Sequence, residues 1–301
     1  MRILASSPLV VIATVGALVA TGCGGADSTS AGGSSTETAT APGAIAHGTG
    51  PTDVVLRVAT GGGFVPIEFN LRSLPSYTLY GDGTVIREAA TTADAQAPPI
   101  TPLETVKLDE AAIQTLLGQA QSAGLLAPGT IDYGDMGSIG VSDMPSTNVT
   151  LTTDGATVSH DAYALTFAPT DTPASSLTKA QLDARAALRG FVALTEQPDP
   201  AAAPYTPERL AVWVAAAPAQ PTDGSEPVVW PLATGPLAAQ AAGAEGLDYH
   251  CSVVEGADVA PLVDAVMKAP PNAQWIAAAD RNATFQVVVR PLLPDEPGCP
   301  A

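Results

Sequence analysis

The chain has 301 residues, enough for one large domain or two small ones, with 12 basic against 30 acidic side chains and a formal charge of −18. So acidic a surface repels phosphate backbones and anionic headgroups, which argues against nucleic acid as a partner and against an electrostatic hold on a membrane. Three histidines and three cysteines leave little material for a Cys/His zinc site.

The first 23 residues have the layout of an export signal. Arg2 leads into the apolar run Leu9 to Ala20, followed by Thr21, Gly22 and Cys23. That run is short for a spanning helix, which needs about 20 apolar residues. Ile3 to Thr21 would be longer, but Ser6, Ser7 and Pro8 interrupt it near its start. Ala20-Thr-Gly-Cys23 resembles the box of bacterial lipoprotein signals and departs from it in having Ala20 where Leu is usual. The expectation is a leader over residues 1–22 and lipidation at Cys23, which makes the lipid the membrane contact; a cut after Ala26 would instead release a secreted protein. Loss of the leader removes one positive charge, Arg2, and takes the formal charge from −18 to −19. Residues 23–50, rich in Gly, Ser and Thr, read as a disordered tether in which His47 needs no role.

The ordered body is expected from residue 51. Asp53 to Thr60 reads as a strand ended by Gly61, Gly62 and Gly63. Tyr77 to Tyr80 and Thr84 to Arg87 flank Gly81-Asp82-Gly83, and Asn148 to Thr152 and Ala156 to Ser159 flank Asp154-Gly155. Both patterns predict hairpins. Asp109 is placed to cap a helix with Ile113, Leu116, Leu117 and Ala120 on one face, and Gly124 to end it. Thr178 and Gln181 form a capping box, with Leu177 and Leu182 as a hydrophobic staple and Ala184, Leu188, Phe191 and Val192 as the buried face.

A Pro-rich break, Gln197 to Pro204, separates an N-terminal part (51–197) from a C-terminal part (205–301). In the latter, Leu210 to Ala215, Val228 to Trp230 and Thr284 to Arg290 read as strands. Asp258 can cap a helix presenting Val259, Leu262, Val263, Val266 and Met267. Strands in antiparallel groups with single helices between them make the class α+β, with two associated parts. Setting Cys23 aside leaves Cys251 and Cys299, an even remainder in an exported protein, which reads as a disulfide. A nucleophilic Cys251 is disfavoured, because adjacent His250 would point to the opposite face of a strand.

The segments Gly61 to Pro66 (Gly-Gly-Gly-Phe-Val-Pro), Leu79 to Val85 (Leu-Tyr-Gly-Asp-Gly-Thr-Val) and Arg290 to Glu296 (Arg-Pro-Leu-Leu-Pro-Asp-Glu) resemble a group of actinobacterial exported lipoproteins of unassigned function. The resemblance would cover residues 51 to 301. It implies export and lipidation and brings no catalytic residue, metal or cofactor.

Chemical constellations are sparse. No Gly-x-Ser-x-Gly elbow is present. His160, beside Asp161, reads as a turn-proximal residue. Asp132, Asp135 and Asp143 share a Gly-bearing loop without the spacing of a calcium loop. Trp213, Trp230 and Trp275 are expected in the core rather than along a groove. Arg290 with Asp295 and Glu296 reads as a structural ion-pair cluster. The sequence therefore points to a non-enzymatic binding module at the cell envelope, with no cofactor and with its protein or small-molecule partner unspecified. The alternative is an envelope hydrolase working through carboxylates alone. An importer's substrate-binding subunit fits the anchor but lacks the expected βαβ alternation.

Overall fold

The computed structural model describes residues 43–90, 98–167, 176–217, 226–233, 242–243, 249–270, 272–277 and 283–299, all within one unit spanning residues 41–301. The leader, Cys23 and Ala26 lie outside them.

Two open sheets make the fold α+β. The N-terminal part supplies β1 (Val54–Gly61), helix α1 (Ile67–Arg72), β2 (Tyr77–Tyr80), β3 (Thr84–Glu88), β4 (Leu103–Lys107), α2 (Glu110–Ser122), β5 (Ser146–Thr153), β6 (Ala156–Tyr163) and α3 (Lys179–Thr195). With β7 (Ala203–Pro204) these strands form an antiparallel sheet of order β6-β5-β1-β2-β3-β4-β7. The C-terminal part adds β8 (Arg209–Ala216), β9 (Val228–Val229), β10 (Ala242–Gly243), β11 (His250–Glu255), α4 (Val259–Lys268), β12 (Gln274–Ile276) and β13 (Thr284–Pro291), in the order β10-β11-β8-β13-β12-β9.

Both hairpins form where Asp-Gly turns predict them. Gly83, at φ +86°, sits where a Cβ would collide with the Leu108 carbonyl, so glycine is required both by the turn and by the approach of α2. Asp109 caps α2 by accepting from the Ala112 amide at 2.8 Å, and Gly124 ends it at φ +77°. Thr178 and Gln181 make the reciprocal capping box of α3. Helices α2 and α3 cover one face of the first sheet, burying Ile113, Leu117, Leu188 and Phe191 against Leu56, Leu79, Val149 and Leu151. The opposite face, with Tyr80, Ile86 and Leu103, meets Leu74 and the C-terminal Leu293.

In the second sheet the period-2 alternation of β8 separates two clusters. Leu210, Val212 and Val214 pack with α4, whereas Ala211, Trp213 and Ala215 pack with Ile67 and Leu71 of α1. Helices α1 and α4 thus lie on opposite faces. All three tryptophans are buried, and Trp230 and Trp275 meet edge to face at 5.7 Å.

Four sequence readings need correction. Residues 43–50 are a strap on the body rather than tether: the Ile45 backbone exchanges two hydrogen bonds with the Gln114 side chain, Asp154 N donates to Ala46 O, and His47 is buried with Nε2 at 3.4 Å from Glu110 Oε1. The polar composition concealed this, because the strap is held through its backbone and one imidazole. Asp258 makes no side-chain cap; it ends a single 3₁₀ turn, Gly256–Asp258, that leads directly into α4. On α4 itself Met267 faces solvent, 45% exposed. Strand β9 forms, but it pairs parallel to β12.

Candidate functional site

Chemistry-bearing residues expected from the sequence are mostly occupied by the fold. His160, 2% exposed, sits between the Tyr133 hydroxyl (2.9 Å from Nδ1) and the Leu125 carbonyl (2.9 Å from Nε2). A carbonyl can only accept, so Nε2 carries a proton and donates to Leu125, while Nδ1 shares a hydrogen bond with the Tyr133 hydroxyl. Both ring nitrogens are committed and none faces solvent. Asp132 accepts from Gly134 N and Gln181 Nε2, which lowers its carboxyl below the ordinary range, and Asp135 accepts from Ser138 N. These are loop closures, and among the described residues no three His, Cys, Asp or Glu side chains converge on a cation position.

Cys251 and Cys299 are disulfide-bonded, with Cα atoms 5.8 Å apart. The neighbouring cluster splits into two. Arg290 grips Glu296 with Nη1 at 3.1 Å and Nη2 at 2.6 Å, while Asp295 accepts from Arg57 Nη2 and the Tyr80 hydroxyl, each at 2.7 Å. Burial and that bond to Asp295 push the Tyr80 phenol far above its usual value. Sequence reading missed Arg57 and Tyr80, which only strand pairing brings to the chain's end.

It also missed Arg185. On α3 this side chain is 1% exposed and donates to the carbonyls of Tyr133, Tyr163 and Ala164; among the described residues no carboxylate pairs with it. The signal was present, since Arg185 precedes Leu188 and Val192 at the 3,4 spacing of the buried face.

Among the described residues, two surfaces stand out. The first is aromatic. After Gly62 and Gly63, both at positive φ, Phe64 stands 89% exposed and Phe69 on α1 54% exposed. Tyr249 donates to Glu68 Oε1 at 2.7 Å and packs with Ile67 and Leu71, which holds α1 to the second sheet. The second is an open groove of about 990 Å³ between the segment Tyr205–Arg209 and α4. Tyr205 N donates to Leu103 O at 2.9 Å, tying one wall to the first sheet, and the Arg209 guanidinium turns away to the Glu296 and Pro297 carbonyls. Val259, Val263 and Met267 supply apolar lining, and Glu208, Glu255 and Asp264 supply carboxylates. Asp264 is neutralised by Lys268 at 2.7 Å, whereas Glu208 and Glu255 have no hydrogen bond or ion pair among the described residues. Comparisons with protein-family models, with curated proteins and with solved structures gave no match.

Proposed function

We propose that this chain is a lipid-anchored, extracytoplasmic interaction module without catalytic activity of its own. The observation that carries the reading is the exposed pair Phe64 and Phe69 on a body that buries all its tryptophans. Leaving an aromatic ring in water forgoes about 2 to 3 kcal/mol of burial, and phenylalanine is among the residues enriched in protein interfaces over the rest of the surface. Phe64 belongs to the Gly61 to Pro66 segment whose resemblance to exported lipoproteins supports the address. Placement supports it too. Strand β1 runs for eight residues, about 26 Å of extended chain, between the strap at residues 43–50 and the Gly61 to Pro66 segment, so Phe64 and the strap follow opposite ends of that strand.

A photo-reactive amino acid at position 64, in cells, tests the binding role. A discrete protein adduct that is absent when the probe sits at Asp154, near the strap, is the expected result. Identical adducts at both positions, or none at 64, overturn it. The anchor is tested separately by Cys23→Ser, which should move the protein from membranes to the medium. An unchanged distribution removes the lipid.

A further inference from the structure

We infer that the groove between Tyr205–Arg209 and α4 docks a polypeptide segment with an apolar centre and basic flanks, supplied by a partner protein. Three observations bear on it. Apart from Asp264, which Lys268 pairs, the lining from α4 is apolar and includes Met267, an unbranched thioether that adapts to varied side chains and is already 45% exposed. The carboxylates of Glu208 and Glu255 are uncompensated, in a chain carrying −18. The register pairing of Glu255 with Arg209 places both glutamates near the same end of β8 and β11, with the Arg209 guanidinium turned to the Glu296 and Pro297 carbonyls. Apolar contact thus comes with an unanswered negative charge, and the complement is apolar with positive charge.

The openness of the site decides between a small molecule and a chain. Small-molecule pockets enclose most of their ligand's surface, whereas this one is a channel open to solvent with walls from two separate segments. An anionic lipid surface is disfavoured by the same carboxylates. The groove is formed with α4, on the face of the second sheet opposite α1, so this inference is independent of the aromatic surface around Phe64.

The probe is a dye-labelled decapeptide with a Leu/Val centre and two lysines at each end, read by fluorescence anisotropy on the folded protein. Two counter-probes carry glutamates at the ends, or glycines at the centre. Saturable binding of the first probe alone is expected, weakening as salt rises. Glu208→Gln with Glu255→Gln should weaken it about tenfold, as two partly exposed charge pairs would, and Met267→Ser should weaken it severalfold. Asp154→Asn with Asp161→Asn changes the net charge equally at distant exposed positions and should leave binding unaltered. Equal weakening by both pairs would mean attraction to net charge alone and would overturn the site, as would absence of binding or indifference to Met267→Ser. All these positions are exposed, so urea midpoints near wild type confirm that each variant is folded.

Discussion

Arg185 is the side chain whose removal tests the packing argument most sharply. It is fully buried on α3, and its three bonds go to main-chain carbonyls, one of them that of Ala164, a non-glycine residue held at φ +51°. Such a backbone conformation persists only where the surroundings over-determine it. A hydrogen bond from a charged donor contributes about 1.5–3 kcal/mol, so three give roughly 4.5–9 kcal/mol gross. Against this stands the dehydration of the guanidinium, several kcal/mol in a buried setting, which a neutral replacement recovers. Burial and the neighbouring Arg189 charge pull the Arg185 pKa down, but a guanidinium stays protonated at any working pH. The expected net loss for Arg185→Met is therefore about 3 kcal/mol, a large share of a stability typically near 5–15 kcal/mol. Arg185→Lys should do no better, because an ammonium keeps the dehydration cost yet lacks the planar fork that reaches three carbonyls. Urea unfolding followed by circular dichroism gives both values. A loss below about 1 kcal/mol for Met, or full retention with Lys, would refute the idea that the fork holds this loop.

Tyr80→Phe should cost about 1–2 kcal/mol through one lost hydroxyl bond, whereas Asp295→Ala should cost more by leaving the fully buried Tyr80 hydroxyl without its acceptor and the Arg57 guanidinium with only its bond to Thr78 Oγ1; the double variant, by urea midpoint, should fall short of the sum. Opening the Cys251–Cys299 bridge, which spans a sequence separation of 48, should cost about 4 kcal/mol on the loop-entropy model. The urea midpoint of the Cys251→Ser, Cys299→Ser variant should match that of reduced wild type. Burial pushes the Tyr77 and Tyr133 phenols up to about 12, and burial with acidic hydrogen-bond partners raises Tyr80 and Tyr249 further. The folded chain then holds protons that the unfolded chain releases above about pH 10. Stability is full below that pH and falls as pH rises from there, so phenolate absorbance should appear together with loss of circular dichroism. A gradual titration preceding any unfolding would contradict it.

What was legible in the sequence was local. Asp109, Gly83 and the Thr178–Gln181 box act within a few residues of themselves, and period 2 or 3.6 marks a face wherever a strand or helix has one apolar side. The misses share a different cause. Glu208 and Glu255 are brought together only by the register of β8 and β11, and Tyr80, Arg57 and Asp295 only by the return of the chain's end onto the first sheet. Periodicity within one element encodes neither the pairing of two separate strands nor a meeting of residues more than 200 positions apart. The strap at residues 43–50 was hidden for another reason. Its grip comes from backbone groups of Ile45 and Ala46, which every residue carries, so composition could not distinguish it from tether. Phe64 entered the sequence reading only as a member of the Gly61 to Pro66 segment, and its exposure is set by which elements fold against it, which a sequence does not display.

The last ten described residues are where these long-range contacts concentrate, and magnitudes decide what they do. Leu292 packs with Trp213 and Cys251 of the second sheet, and Leu293 with Tyr80 and Ile86 of the first, both almost completely buried. At about 1.5–3 kcal/mol for each side chain, the two leucines rival the disulfide. The Arg290–Glu296 and Arg57–Asp295 pairs are 14–26% exposed, where dehydration offsets most of the attraction. Their contribution is direction: Glu296 also accepts from Leu293 N at 2.8 Å, and Arg290 Nε donates to Ser73 O at 2.8 Å. Those bonds set which leucine faces which sheet. Apolar burial and the disulfide thus hold the chain's end in place while the ion pairs fix its register. Consecutive leucines serving opposite clusters join the two cores through a single peptide bond, and neither core can lose this segment without exposing part of the other.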